Sequence, residues 1–387
     1  MDGVRNDFLI LLRAGLWGRD PMTEGFQRLG DEEWEEVFRM SGRQTVTGIV
    51  FDGICRLPDE LQPCERLFAG WVVAVDRIEA GNRRMNAALK ELAGLFAGNG
   101  LRPVLLKGQG VAELYPTPSH RECGDIDLYF PQGTIAEELI RSKGIDVSRM
   151  PDGSLSYNWK GIEIEHHPRM ADLHSPRPRK WLKELEEKTE FIPSDLAEGL
   201  SVPPPDVDAL ILSSHILKHA LGKGIGLRQM CDLAMEYHRM HLDERCGELG
   251  AELFGHYLFT GILDWNQLLH AFLVGVIGLP EEELPYIEKP VSYEPLMRIV
   301  EDGGNFGQHR SRHGGASAST AHRKHGERGC DRLVRQGRQP AEGQVRRKLG
   351  TAGMFVRRAG FSLRYAPSEA FWTVVSLVGG QFKSRRK

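Results

Sequence analysis

The 387-residue sequence contains few cysteines, and none of them are arranged in pairs. Zinc knuckles and disulfide frameworks need closely or regularly spaced cysteines. The six cysteines are instead scattered, without a C-x-x-C motif, at Cys55, Cys64, Cys123, Cys231, Cys246 and Cys330. The sequence therefore predicts neither kind of site.

Long apolar runs are also missing. A bilayer-spanning helix takes roughly 18 apolar residues, and no run in this sequence reaches that length. The N-terminus places Asp2, Arg5 and Asp7 ahead of a short apolar stretch, which is not the layout of a signal peptide. We therefore expect a cytoplasmic protein without a membrane span.

Net charge is small, at −3, so the whole chain gives no indication of a nucleic-acid partner. Large aliphatic residues are almost absent from 308–344, where only Leu333 and Val334 occur. This stretch cannot bury a core. It is either a disordered basic linker with affinity for nucleic acid or a segment outside the ancestral reading frame; the second is favoured, because amphipathic sequence resumes near Leu349.

Paired carboxylates are the most informative feature that is present. Residues 101–130 contain the apolar run 104–106 and then Gly-Asp-Ile-Asp-Leu, in which Asp125 and Asp127 share one face of a predicted strand. A divalent cation would let both stay ionised. In a later predicted strand Glu163 and Glu165 also share a face, and Glu165 is preferred as the third carboxylate. Such oxygen ligands predict Mg²⁺ or Mn²⁺ and phosphoryl or nucleotidyl transfer.

A glycine-rich turn precedes these carboxylates. It reads Lys107-Gly108-Gln109-Gly110, where backbone N–H groups could approach phosphates closely. Lys107 is interpreted as a phosphate-binding residue or as a cation at a strand end.

The order of these motifs resembles the nucleotidyltransferase superfamily of the DNA polymerase beta type, and within it a bacterial family of uncharacterised nucleotidyltransferases. The resemblance covers roughly residues 30 to 307. The matching motifs are Leu106-Lys107-Gly108, Tyr115-Pro116, Arg121, Gly124-Asp125-Ile126-Asp127-Leu128, Glu165-His166-His167, and His215 to His219 followed by Leu227-Arg228 and Asp232-Leu233. Gln109 stands where the wider superfamily has serine.

The resemblance implies a metal-dependent enzyme that moves a nucleoside monophosphate from a nucleoside triphosphate, ATP first, to an unidentified hydroxyl acceptor. A catalytically inactive, antitoxin-like binding module is the alternative. The predicted roles are catalytic and metal-binding for Asp125, Asp127 and Glu165; nucleotide-binding for Lys107, Gly108, Gln109, Gly110, Arg121 and Gly124; and further candidates His167, Lys218 and Arg228.

His167 and Arg228 have two interpretations each. His167 lies near the substrate or forms a structural hydrogen bond. Arg228 pairs with Asp232 one turn on, or faces the triphosphate together with Lys218. The His215/His219 pair has metal-ligand spacing, but no carboxylate nearby in the sequence completes a zinc set.

The predicted fold class is α+β, a small mixed sheet with helices on one side and flanking helical regions. The predicted division is an N-terminal helical region over 1–98, the nucleotidyltransferase core over 99–200, a second helical region over 201–300, the atypical segment over 301–345 and a basic helical tail over 346–387. Within it we predict helices over 64–96 and 135–142, strands over 155–159 and 162–166, and a stiff connector at 202–205. Nucleic-acid binding through the basic tail is not favoured.

Overall fold

The computed structural model describes residues 2–303, except 23–25, 27, 132–134, 151–152, 172, 223 and 287–289, and residues 360–375, except 374. The predictions for 304–359 and 376–387 lie outside the described residues. The five-segment division of the chain stays a prediction.

In the described part of the chain, four α-helices precede the sheet: α1 (Asp2–Trp17), α2 (Asp31–Gln44), α3 (Thr47–Ile54) and α4 (Glu65–Ala97). The start of α2 follows from its sequence, because the Glu33 carboxylate accepts the Gly30 N–H at 2.8 Å. α1 and α3 cross closely at glycines. A Cβ at Gly15 would lie 1.8 Å from the Ile49 carbonyl oxygen, and one at Gly53 would lie 2.1 Å from that of Leu11.

The sheet has seven strands in the order β3-β4-β5-β2-β1-β7-β6. They are β1 (Val104–Leu106), β2 (Ile126–Tyr129), β3 (Ser148–Arg149), β4 (Leu155–Trp159), β5 (Ile162–His167), β6 (Ile192–Pro193) and β7 (Ser201–Val202). β2 pairs with β5 in parallel and with β1 in antiparallel orientation. The mixed sheet and the α+β class are confirmed.

Local sequence signals placed several elements correctly. β4 is found as predicted, and Lys160 and Gly161 form the tight turn into β5 with φ values of 52° and 89°. Three short helices accompany the sheet: α5 (Gly108–Ala112), α6 (Ile135–Ser142) and α7 (Pro176–Lys188). The connector predicted at 202–205 is wrong at Val202, which pairs with Ile192 in the sheet.

Helices cover both faces of the sheet, so the prediction of helices on one side is wrong. On one face, Leu105, Ile126 and Ile164 pack with Phe96 of α4 and Ile140 of α6. On the other face, Val104, Leu106 and Tyr129 belong to a core that residues of the first three helices and of the C-terminal helices complete. Asp127 shares the face of Tyr129 because it lies two residues earlier in the strand.

The C-terminal helices are α8 (Pro205–Leu221), α9 (Leu227–Leu242), α10 (Cys246–Thr260), α11 (Leu263–Phe272) and α12 (Glu294–Gly303). α8 and α9 form the layer over the face that carries Asp127. Residues 360–365 and 367–373 are also helical, and the Glu369 carboxylate accepts the backbone N–H groups of His174 and Ser175 at 2.7 and 3.0 Å. None of the described helices is both long and apolar enough to cross a membrane.

Candidate active site

Carboxylates from two neighbouring strands meet on the face of the sheet that α8 and α9 cover. Asp127 of β2 and Glu165 of β5 are direct neighbours in the parallel register. Glu163 is exposed and accepts a hydrogen bond from Ser156 Oγ at 3.0 Å. Glu165, the residue preferred from the sequence, is therefore the one that the structure brings to Asp127.

His167 completes a compact group with these two carboxylates. One ligand atom from each of Asp127, Glu165 and His167 lies within 4.8 Å of the others, and this is the one such group among the described residues. His167 Nε2 lies 2.6 Å from Asp127 Oδ1 and 3.7 Å from Glu165 Oε2. His166 faces the opposite way, where its ring packs 4.7 Å from that of Phe130.

The charges of the group are set by burial and by Lys107. Burial alone would raise the pKa of Asp127, but the Lys107 ammonium and His167 hold that pKa well below its usual range. Burial and then the charge of Asp127 raise the pKa of Glu165. Asp127 is therefore firmly ionised, whereas Glu165 has gained affinity for a proton.

Asp125 lies just before β2, which begins one residue later than the sequence predicted. Repulsion from Asp127, followed by burial, raises the pKa of Asp125 to about 6. The cations of Lys107 and Arg228 act in the opposite direction. A divalent cation would relieve this repulsion, as expected for carboxylates that share a metal.

Lys107 lies beside Asp127 of this group, and its backbone has a strained conformation. Its φ and ψ are 57° and −147°, a region that costs a non-glycine residue about 1–3 kcal/mol and occurs mostly at functional sites. Its Nζ lies 3.4 Å from Asp127 Oδ2 and 3.5 Å from Nδ1 of His215 on α8. Burial and then the charge of Lys107 lower the pKa of His215, so this imidazole stays neutral and can accept from the ammonium.

The predicted glycine-rich turn is the start of α5. Gly108 has φ 52° and approaches the segment before β2, since a Cβ there would lie 3.7 Å from the Asp125 carbonyl oxygen. Gly110 lies against Leu105 and Val202, and Gly124 is exposed beside Asp125. Gly108 and Gly124 are thus the turn glycines that flank the carboxylates.

Two predicted nucleotide-binding side chains have structural partners instead. The Gln109 amide is buried and donates to Met85 Sδ at 3.5 Å. Arg121 is buried and donates from Nε and Nη2 to the two oxygens of Asp232 at 2.8 and 2.7 Å. Tyr115 donates to the same carboxylate at 2.7 Å. The nucleotide-binding role of Gln109 and Arg121 stays a prediction that these contacts do not support.

The remaining candidates lie on α8 and α9. Arg228 Nη1 donates to the Glu122 carbonyl at 2.6 Å. The positive charge of Arg228 acts to lower the pKa of Asp125. Lys218 lies close enough to His215 to lower its pKa, after burial, Lys107 and His219. The charge of Arg228 thus acts at the carboxylate site, and its two interpretations stay predictions.

A family described as an uncharacterised nucleotidyltransferase matches residues 30–260. The chain belongs to this family. The match covers more than half of the 387 residues and includes the sheet, the carboxylate group and α9. No curated protein and no solved structure matches the chain.

Membership of this nucleotidyltransferase family supports nucleotidyl transfer in general. Sequence reasoning missed the contact between His215 and Lys107, because residues 108 apart meet only in the folded chain. It also missed the backbone strain at Lys107, which no residue pattern signals.

The residues present fit a divalent cation. Ligand distances near 2.0–2.3 Å place two ligands of one ion at most about 4.5 Å apart. The oxygens of Asp127 and Glu165 and the nitrogen of His167 are within 4.8 Å, so side-chain rotation alone could bring them to one ion.

Proposed function

We propose that this protein is a metal-dependent nucleotidyltransferase that moves a nucleoside monophosphate from a nucleoside triphosphate to a hydroxyl acceptor, with release of pyrophosphate. The observation that carries the proposal is the meeting of Asp127 and Glu165, from neighbouring parallel strands, beside Lys107. Repelling carboxylates with an adjacent cation suit a site for Mg²⁺ or Mn²⁺ and phosphates.

Asp125, Asp127 and Glu165 would hold the cation. When bound, the cation neutralises charge on the phosphate oxygens and stabilises the attacking and leaving oxygens of an in-line displacement. Lys107 would exchange its contact with Asp127 for the β- and γ-phosphates, because the cation then satisfies that carboxylate. Arg228 would add positive charge on the α9 side.

The acceptor hydroxyl oxygen attacks the α-phosphorus, and the bond from that phosphorus to the bridging oxygen of pyrophosphate breaks. Glu165 would take the hydroxyl proton, because the parallel pairing of β2 and β5 places it beside Asp127. The neutral imidazole of His215 would keep Lys107 directed toward the phosphates.

The test combines nucleotide binding with label transfer, because the acceptor is unidentified. Binding of each nucleoside triphosphate, ATP first, is measured with Mg²⁺ or Mn²⁺ and with chelator. Transfer from α-³²P-labelled nucleotides is then followed to the protein itself and to fractionated cell extract. We expect cation-dependent binding and transfer that Asp125→Asn and Asp127→Asn abolish.

Glu163→Gln is the matched control, since this glutamate lies in the same strand as Glu165 but is exposed. It should leave both signals within about twofold of wild type. Cation-dependent binding without transfer in any extract would favour the catalytically inactive binding module. The absence of binding to every nucleoside triphosphate would refute the proposal.

A further inference from the structure

The carboxylate group contains one nitrogen donor, and this affects which cation it prefers. We propose that Nε2 of His167 is a direct metal ligand together with Asp127 and Glu165, and that the site consequently selects Mn²⁺ over Mg²⁺. This inference rests on the proposed function, because it concerns the cation of the same site.

The strand geometry aims His167 at the carboxylates. Glu165 and His167 are alternate residues of β5, so their side chains leave the same face of the sheet. His167 Nε2 is already 2.6 Å from Asp127 Oδ1, so a hydrogen bond joins the two atoms. A cation bound by both atoms takes the place of the hydrogen-bonded proton.

The environment retains the imidazole in this position. Asp127 and His167 are both largely buried, with side chains 10% and 8% exposed. His166 fills the opposite core, where its Nε2 lies 3.0 Å from the Tyr157 hydroxyl. A slip of β5 by one residue would place Glu165 and His167 in that core, so the register keeps His167 at the site.

A donor set that includes an imidazole nitrogen beside carboxylate oxygens differs from the ligands that Mg²⁺ prefers. Mg²⁺ takes oxygen ligands and retains several waters. First-row transition ions accept imidazole readily, and at a nitrogen-containing site they bind more tightly than Mg²⁺. Mn²⁺ also accepts carboxylates and phosphates, so it satisfies every donor at this site.

The competing arrangement keeps His167 as a hydrogen-bond partner that orients Asp127, while the cation contacts oxygens of Asp125 and Asp127 only. The two arrangements differ in whether nitrogen is bonded to the ion. Pulsed electron paramagnetic resonance of bound Mn²⁺ measures this directly, because a coordinated imidazole produces ¹⁴N modulation of the echo.

The experiment uses the full chain with Mn²⁺ and inorganic tripolyphosphate, which contributes no nitrogen. We expect ¹⁴N modulation in wild type and its loss in His167→Gln, whose amide can still donate to Asp127. His215→Gln is the control for a nearby imidazole outside the ligand set, and it should retain the modulation. Melting curves establish that each variant is folded.

Displacement of bound Mn²⁺ by Mg²⁺ tests the selectivity. Wild type should need at least a hundredfold excess of Mg²⁺. His167→Asp, which replaces the nitrogen donor by a carboxylate oxygen, should lower that excess tenfold or more. Bound Mn²⁺ without ¹⁴N modulation, modulation that persists in folded His167→Gln, or an unchanged ratio in His167→Asp would overturn the inference while leaving nucleotidyl transfer intact. Failure of Mn²⁺ to bind would overturn the inference, and failure of both Mn²⁺ and Mg²⁺ to bind would overturn the proposed function as well.

Discussion

The buried ion pair between Arg121 and Asp232 makes a quantitative prediction about stability. It joins the loop before β2 to α9 through two hydrogen bonds, and the side chains are only 4% and 3% exposed. Arg121→Met leaves the Asp232 carboxylate buried with the Tyr115 hydroxyl but without its countercharge. Removing one member of a buried pair costs about 3–5 kcal/mol, a large share of the roughly 5–15 kcal/mol that stabilises a typical domain.

Removing the whole polar group should cost much less. The triple variant Tyr115→Phe, Arg121→Met, Asp232→Leu leaves neither a buried charge nor an orphaned hydroxyl. Replacement of a buried ion pair by apolar residues of similar volume is often neutral or stabilising. We therefore expect the triple variant to recover most of the free energy that the single change loses.

Urea unfolding followed by circular dichroism measures both effects. With a slope of about 3 kcal/mol per molar urea, the midpoint of Arg121→Met should fall by about 1–1.7 M. Arg245→Met, which breaks the exposed pair with Glu248, should produce no measurable change. The reasoning is refuted if Arg121→Met keeps its midpoint but loses nucleotide binding, as a direct nucleotide contact would imply, or if the triple variant unfolds as early as the single one.

Three further predictions follow from packing and burial. Gly15→Ala should destabilise the protein by about 1–3 kcal/mol in a thermal melt, because the new Cβ would lie 1.8 Å from a backbone oxygen of α3. Gly42→Ala is the control and should not destabilise the protein, because the space around its Cβ is open. Burial lowers the pKa values of His166 and His270 to about 3; the unfolded chain therefore takes up protons below pH 6.5 that the folded chain does not, and stability is lost as pH falls. Between pH 7 and 5 the unfolding free energy of wild type falls, and in His166→Phe or His270→Phe this fall should be about 2 kcal/mol smaller. A variant whose unfolding free energy falls with pH in parallel with that of wild type would contradict this. The Glu369 carboxylate accepts two backbone N–H groups ahead of α7, so Glu369→Ala should increase proteolytic cleavage after residue 360. An unchanged cleavage rate would show that this contact does not hold the helical residues 360–373 against the rest of the protein.

Patterns of neighbouring residues in the sequence were enough to predict much of the secondary structure around the site. The alternation in Ile162–His167 predicts a strand, and the Lys160-Gly161 pair predicts the turn that leads into it. Both signals are local, because side-chain direction along a strand and a left-handed backbone conformation depend on neighbouring residues only. Alternation of apolar and acidic residues in each of the two strands also predicted the faces on which Asp127 and Glu165 lie. Their identities as carboxylates, and the chemistry that follows, were readable from the chain.

Long-range pairing was beyond such patterns. Asp232 could be expected to pair with Arg228 on its own helix, yet both its oxygens accept from Arg121, 111 residues away. Val202 reads as part of a proline-rich connector, yet it joins the edge of the sheet. In each case the partner is chosen by how elements pack, and a window of sequence does not contain that choice.

The sequence by itself determined which residues near the site are acidic or basic, the strands that carry the acidic ones, and the direction in which their side chains leave each strand. Tertiary structure alone decided that β2 and β5 run side by side in a register that pairs Asp127 with Glu165, that His167 belongs to the same group, and that α8 brings His215 to Lys107. The physical reason is that backbone geometry acts over a few residues, whereas burial of both faces of the sheet brings together residues that are far apart along the chain.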